Sequence, residues 1–492
     1  MDTSIAQTDI IGAPTKTTYP RPTGWLFMSS GEWVISLGFA ISIAALFFSS
    51  YSDISWWIGF GIILIALSTI NIAFSVRYML PYPQLAIVIS CIQMILAAWG
   101  NWHFPQHHPV HDILDRLPVY LSYGGPACAL FALGLMIPIG SSRLQTEKSE
   151  TVIENQQTKK QLVKELHTIF VVGVAATLLG GRAPSSLKFI IVLLSNLMYV
   201  GAFGYILLNT PGWKSRTIIA MALLFWTSLG EAKFHEMVIW GSFTVLVVAY
   251  RHKWNRKRLI AVIMAGVIGI VVVNAVKKDF RDQFWYGKGY FGENRVLAYI
   301  RLTSDYVLNP KELFSEKMVS ELMVRFNQGW IINRAMIWTP AVEPFAHGKT
   351  IRNSVTAALV PRILNPQKGV VGGREDYTRY TGLLLIGTSM SLGYAGEMYV
   401  NFGPGWGLLG IGLYALLLGL GFRWFYEKAY QQPLWWIWAG YFGIIAIKAE
   451  TSVGFMINWM IKSVVIMLII LWIAPGMRRV LAPRMSGIRI KL

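Results

Sequence analysis

Apolar runs recur along this chain from about residue 32 to residue 475. A bilayer core about 30 Å thick takes ~20 helical residues to cross. Backbone N–H and C=O groups in hydrocarbon must be paired within the chain, so runs of this kind are confined to helices. The sequence therefore predicts an all-α, polytopic membrane protein. Twelve spans are expected, at 32–50, 56–76, 83–100, 118–138, 166–181, 187–208, 217–230, 237–250, 259–276, 382–402 continuing as 405–422, 433–448 and 456–475. The tenth is overlong, and Gly403-Pro404-Gly405 is expected to separate a re-entrant or tilted lead-in from the helix proper. The seventh and eighth are short, which suits helices that stop at a polar cavity. Composition agrees with the class: 54% of 492 residues are hydrophobic and 14% charged, with a mean hydropathy of +0.47. Cys91 and Cys128 both fall inside apolar runs and give neither a disulfide framework nor metal-ligand spacing.

The formal net charge of +19 could suggest nucleic acid, but no nucleic-acid motif accompanies it. Basic residues instead gather between spans, where they would meet anionic lipid. Arg143, Lys148, Lys159, Lys160 and Lys164 lie between spans four and five; Arg251, Lys253, Arg256, Lys257 and Arg258 lie between eight and nine; Arg478, Arg479, Arg484, Arg489 and Lys491 form the tail. Twelve crossings put all of these on one side, with Lys16, Arg77, Lys214 and Arg423. The positive-inside rule makes that side cytoplasmic, with both termini there. The resulting plan is an arm over 1–31, nine spans over 32–276, a large external loop over 277–381, a re-entrant lead-in and three spans over 382–475, and a basic tail over 476–492. The arm carries no cleavable signal pattern.

The external loop and the lead-in that follows it carry the chemistry. Arg325, Arg334, Lys349, Arg352, Arg362, Lys368, Arg374 and Arg379 alternate with Trp330, Trp338, Phe345, Tyr377 and Tyr380. Cations beside flat rings suit a site that grips phosphates and sugars together, although a solvated basic loop has the same composition. Arg182, in Gly180-Gly181-Arg182, reads either as a phosphate clamp or as an interfacial cation reaching lipid headgroups. Glu231, Lys233 and His235 lie between spans seven and eight. Glu231 and His235 share a helical face, so a helix-end ion pair stands beside a catalytic reading. His103, His107, His108 and His111 have metal-like spacing but no completing ligand set. No nucleotide-binding loop, serine-nucleophile elbow or paired-aspartate metal motif appears.

Two elements go further. Pro361-Arg362 precedes Asn365-Pro366-Gln367-Lys368, and the next apolar stretch carries Gly396-Glu397-Met398-Tyr399-Val400-Asn401-Phe402-Gly403. This pattern resembles the O-antigen polymerases (Wzy-type oligosaccharide repeat-unit polymerases) of bacterial envelopes, which carry a "PR…P.K" element in an external loop and a "GE.Y.NFG" element at the following helix. The likeness is sharp over about 325–407 and architectural elsewhere. Lys233 stands where such proteins often carry an arginine, a departure from the pattern.

The resemblance implies a GT-C-like glycosyltransferase of the bacterial inner membrane, using no cofactor or metal. Lipid-diphosphate-linked oligosaccharide would serve as donor and acceptor, and a chain-length regulator and a flippase would be protein partners. Glu397, Arg362 and Arg325 are the implied catalytic residues, with Glu397 either the base for the acceptor hydroxyl or the partner of a loop arginine. Arg182, Lys233, His235, Arg334, Arg352, Lys368, Arg374 and Tyr399 are the implied substrate contacts. An O-antigen ligase is the near alternative and a lipid-oligosaccharide flippase or transporter the distant one.

Overall fold

A computed structural model of the protein describes residues 37, 38, 41, 55–103, 117–140, 156–182, 184, 187–231, 235–284, 294–359, 374–384 and 390–482. Every regular element among them is helical. In chain order these are α1 (Trp56–Ser75), α2 (Tyr82–His103), α3 (Leu117–Gly140), α4 (Gln156–Leu179), α5 (Lys188–Ser195), α6 (Leu197–Leu207), α7 (Trp213–Glu231), α8 (His235–Arg251) and α9 (Arg256–Phe284). There follow α10 (Arg295–Leu308), α11 (Pro310–Leu313), α12 (Glu316–Phe326), α13 (Gly329–Trp338), α14 (Lys349–Leu359) and α15 (Arg374–Thr381). The last four are α16 (Gly393–Gln431), α17 (Trp436–Ala446), α18 (Val453–Ile473) and α19 (Pro475–Leu481). Among the described residues eight helices are long and apolar enough to cross a membrane: α1, α2, α3, α4, the α5–α6 pair, α9, α16 and α18. The protein is an all-α, multi-pass membrane protein. The expected spans at 217–230, 237–250 and 433–448 lie in the shorter or more polar α7, α8 and α17. That at 32–50 falls almost wholly outside the described residues.

Lipid tails are as apolar as leucine, so close backbone packing has to replace the hydrophobic drive that joins helices in water. Glycine provides it. A Cβ on Gly134 of α3 would stand 2.7 Å from Ala415 Cβ and 2.8 Å from the Gly412 carbonyl oxygen, and one on Gly419 would meet the Gly134 carbonyl oxygen at 2.7 Å. Gly173 against Met198 and Gly201 against Phe170 bring α4 and α6 together in the same way.

The basic connections gather at one end of the bundle. Arg77 Nε donates to the Trp254 carbonyl at 2.8 Å, and Lys253 Nζ donates to the Arg77 carbonyl at 2.7 Å. The Trp213 and His252 rings are 5.4 Å apart. Glu165 accepts the Gly476 and Met477 amides at 2.8 and 2.7 Å, holding the first turn of α19 to α4. A carboxylate at a helix N-terminus meets both its unpaired N–H groups and its dipole.

At the other end, α9 does not stop at residue 276 but runs on to Phe284. Its polar extension finds partners there: Lys278 pairs with Glu321, and Asp279 accepts from the Tyr306 hydroxyl at 2.7 Å. A second, smaller core forms around Val276, Phe280, Tyr299, Tyr306 and Leu313. The amphipathic stretch 312–326 is divided between α11 and α12, because Ser315 caps α12 through its hydroxyl on the Met318 amide.

Gly134→Leu should separate α3 from α16. Overpacking at a backbone contact costs about 1–3 kcal/mol or more, so a thermal midpoint in detergent well below wild type is expected. Gly241→Leu, where a Cβ meets no atom within 4 Å, should leave it near wild type.

Candidate functional site

The site is built on a backbone reversal. Gly403 has φ 74° and ψ −174°, a conformation open to glycine and strained for other residues. It folds residues 393–402 back against the start of 404–431. Met398 lies against Gly407 and Gly410, and the Tyr394 ring lies 5.8 Å from Tyr414 and 4.5 Å from Phe131 of α3. Residues 393–402 are thus a half-helix, about 15 Å long at 1.5 Å per residue, beginning beside the middle of α3. Gly403-Pro404-Gly405 is the break expected from sequence, and it separates the lead-in from the helix proper.

A helix ending here leaves its last carbonyls unpaired. The segment between α13 and α14 supplies the donors: the Ala346 amide bonds the Val400 carbonyl at 2.8 Å and the His347 amide the Asn401 carbonyl at 3.0 Å. Phe345 packs against Gly403 and sets its ring 6.1 Å from Tyr399. At the inner end, Gly393 has φ 70° and approaches the Ala449 carbonyl so closely that a Cβ would lie 2.6 Å away. Residue 449 belongs to the non-helical connection between α17 and α18, so two interrupted elements meet at this point.

Glu397 sits on the half-helix with 2% of its surface exposed. Its Oε1 accepts from the Thr350 hydroxyl at 2.9 Å and its Oε2 from the Gly454 amide at 3.1 Å, in the first turn of α18. Thr350 Oγ1 accepts in turn from Asn401 Nδ2 at 2.7 Å, which also donates to the Glu397 carbonyl at 2.7 Å. One carboxylate therefore joins the half-helix, α14 and α18. Its partners among the described residues are a hydroxyl and a backbone amide; Arg362, one of the loop arginines that sequence offered as an alternative partner, lies outside them. Of these groups only Asn401 lay within the recognised motif. Ser452 before an apolar run is a readable helix start, and its hydroxyl caps α18 on the Phe455 amide. Nothing in the sequence points to Thr350.

The other expected residues divide into separate groups. Arg334 donates through Nε to the Thr381 carbonyl at 3.0 Å and lies 5.9 Å from the Trp338 ring centre, so it joins α13 to α15. Arg379 pairs with Glu343 at 2.5 Å, while its carbonyl accepts from Trp338 Nε1 at 3.1 Å. In this subdomain burial lifts the Asp376 carboxyl above its ordinary value, with Glu375 adding and Arg379 opposing. Burial likewise pushes the Tyr377 phenol up to about 12. Tyr399 is buried edge-on against Tyr123, with ring centres 5.1 Å apart.

Arg325 lies elsewhere, on α12 against α9, with Nη1 donating to the Asn274 carbonyl at 2.6 Å. His235 opens α8 and lies 3.9 Å from Glu236. Lys349, Arg352 and Arg374 are exposed. Arg182 closes the turn Gly180–Arg182; its side chain, and residues Lys233, Arg362 and Lys368, lie outside the described residues. Among the described residues no three His, Cys, Asp or Glu side chains gather as a metal site. His103 stacks on Trp99 at 5.1 Å. No protein-family model, curated protein or solved structure matches this chain.

Thr350→Val removes the hydroxyl that both Glu397 and Asn401 use. Leaving buried polar groups unpaired costs about 1–3 kcal/mol. The expected outcome is a clearly lower thermal midpoint for Thr350→Val and a near-normal one for Thr350→Ser, measured in the same detergent.

Proposed function

We propose that this protein is a glycosyltransferase that polymerises lipid-diphosphate-linked oligosaccharide repeat units at the outer face of a bacterial inner membrane. The observation that carries the reading is the docking of the basic external segment on the half-helix that holds Gly396–Gly403, through Glu397, Thr350 and the Ala346 and His347 amides. The two stretches that resemble the polymerases flank or form this unit. Exposed Lys349 and Arg352 open α14 and exposed Arg374 opens α15, so cations are held close to a membrane re-entrance. A lipid-linked diphosphate offers its charge at that level.

In the reaction an acceptor hydroxyl attacks the donor's anomeric carbon. The new glycosidic C–O bond forms as the bond to the lipid diphosphate breaks, the diphosphate leaves with the electron pair, and the hydroxyl proton passes to a phosphate oxygen of the leaving group or to water. Guanidinium groups stabilise that charge, as preorganised donors do at other transition states. Arg352, Arg374 and Arg362 are assigned this work. Glu397 fits a positioning role better than that of the base, because both of its oxygens are already engaged in a buried site. The full plan, with twelve spans, a GT-C-like arrangement and both termini cytoplasmic, belongs to the same proposal. It is supported by the gathering of the basic connections at one end of the bundle.

Purified protein in proteoliposomes, given only lipid-diphosphate repeat units, should build a ladder of longer lipid-linked chains without nucleotide sugar or ATP. Arg352→Ala and Arg374→Ala should each lose about a hundredfold in rate, the effect of ~2–4 kcal/mol at a transition state. Lysine should rescue poorly because it lacks the bidentate fork. Growth only after a second acceptor is added would favour a ligase, and unchanged chain length would favour transport.

Orientation has its own check. Asn353 and Asn255 are both exposed, and the native Cys91 and Cys128 are buried. In intact cells Asn353→Cys should react with an impermeant thiol reagent and Asn255→Cys should not; the reverse pattern would invert the topology.

A further inference from the structure

Most of the exposed apolar surface lies on the long apolar helices, where lipid covers it. One patch lies instead on the segment that follows α9. Leu297, Ile300, Val307 and Leu308 are exposed on one side of α10, whereas Ala298, Tyr299 and Tyr306 are buried on the other. At helical spacing the exposed four fall within an arc of roughly 100°. Phe314, just past α11, extends the patch at 67% exposure, and Leu308 reaches 77%. A contiguous apolar surface of this kind on a polar segment marks an interaction site.

Contacts of Arg295, Tyr299, Tyr306 and Leu313 set the height of this patch relative to the bundle. Arg295 Nη1 donates to the Gly230 carbonyl at 3.0 Å, at the end of α7. The Tyr299 ring lies 5.3 Å from Phe225, further inside α7, and 6.0 Å from Phe280 of α9. Tyr306 donates to Asp279, which follows closely on the apolar run of α9 that ends at Val276. Leu313 reaches the core formed with Ala275 and Val276. α10 thus lies across the ends of α7 and of the apolar run of α9, where hydrocarbon gives way to water. α9 itself exposes Met264, Val267 and Ile268 by at least half, nearer its other end.

We propose that α10 and its corner with α11 form a membrane-interface anchor, whose exposed apolar side rests in the acyl–headgroup boundary of the outer leaflet. The occupant is bilayer lipid. Amphipathic helices bind there by burying their apolar face, with anionic lipid adding to the attachment where the polar face is basic. Here Arg295, Arg301 and Lys311 are nearly balanced by Asp305 and Glu312, so the attachment is apolar and insensitive to salt. It does not depend on the glycosyl-transfer reading, since it needs only the membrane.

The test uses the full chain in lipid nanodiscs, with a nitroxide on one introduced cysteine at Leu297, Leu308 or Phe314 and, for comparison, at Glu312 or Lys317. The native cysteines are buried. Collision with oxygen, which partitions into lipid, is compared with collision with a water-soluble nickel chelate. The oxygen-to-nickel ratio should be several-fold higher at Leu297, Leu308 and Phe314 than at Glu312 and Lys317, and unchanged by high salt. Equal nickel access at Leu308 and Glu312 would overturn the anchor, as would loss of the contrast in salt. Exclusion of both reagents with spin coupling between labels would overturn it too, by showing a second copy of this chain on the patch.

Discussion

A helix that stops inside a membrane leaves amides and carbonyls where no water can reach them, each at a cost of several kcal/mol. The half-helix at 393–402 stops at the buried Gly403, and the elements around it are arranged to supply its missing partners. Ala346 and His347 donate to its terminal carbonyls. Glu397 takes the Gly454 amide at the start of α18. The polar segment between α13 and α14 is therefore a structural part of the helical bundle, because without it the interruption would be left unpaired. Gly403 itself is buried there against Phe345, while Pro404 and Gly405 beside it are exposed.

The same requirement sorts the basic residues of the external segment. Arg334 and Arg379 are used within it, on a carbonyl and on Glu343, beneath a set of aromatic rings. Their loss would be felt as loosening of α13 from α15. Lys349, Arg352 and Arg374 remain exposed at helix starts. A cation at that end is opposed by the helix dipole, so an arriving anion would relieve repulsion as well as form bonds. This separates residues with an internal duty from residues available to a ligand, a division that composition cannot make.

Glu397 lies on the half-helix that ends at Gly403, and that ending followed from Gly403-Pro404-Gly405. Its partners did not, since Thr350 stands 47 residues away in the chain and Gly454 stands 57 away. Arg325 is grouped with Glu397 by the resemblance, yet it bonds the Asn274 carbonyl within α9. Pairings across such separations depend on where helices cross, and that is decided by small residues such as Gly134 and Gly419.

Much of the architecture was nevertheless present in the chain itself. Length and continuity of apolar runs determine helices in lipid, because no other open structure pairs every backbone group there. The reversal at Gly403 was also legible, because Gly-Pro-Gly in an apolar run can neither continue a helix smoothly nor lie idle. Basic connections declared a common side before any contact was known. Only the tertiary structure decided the continuation of α9 to Phe284, the second core around Tyr299 and Tyr306, and the joining of Glu397 to Thr350 and Gly454. Helices and their breaks are set by neighbouring residues in the chain. Partners across the bundle are set by shape and by which buried polar groups remain to be paired, and those are properties of the packed whole.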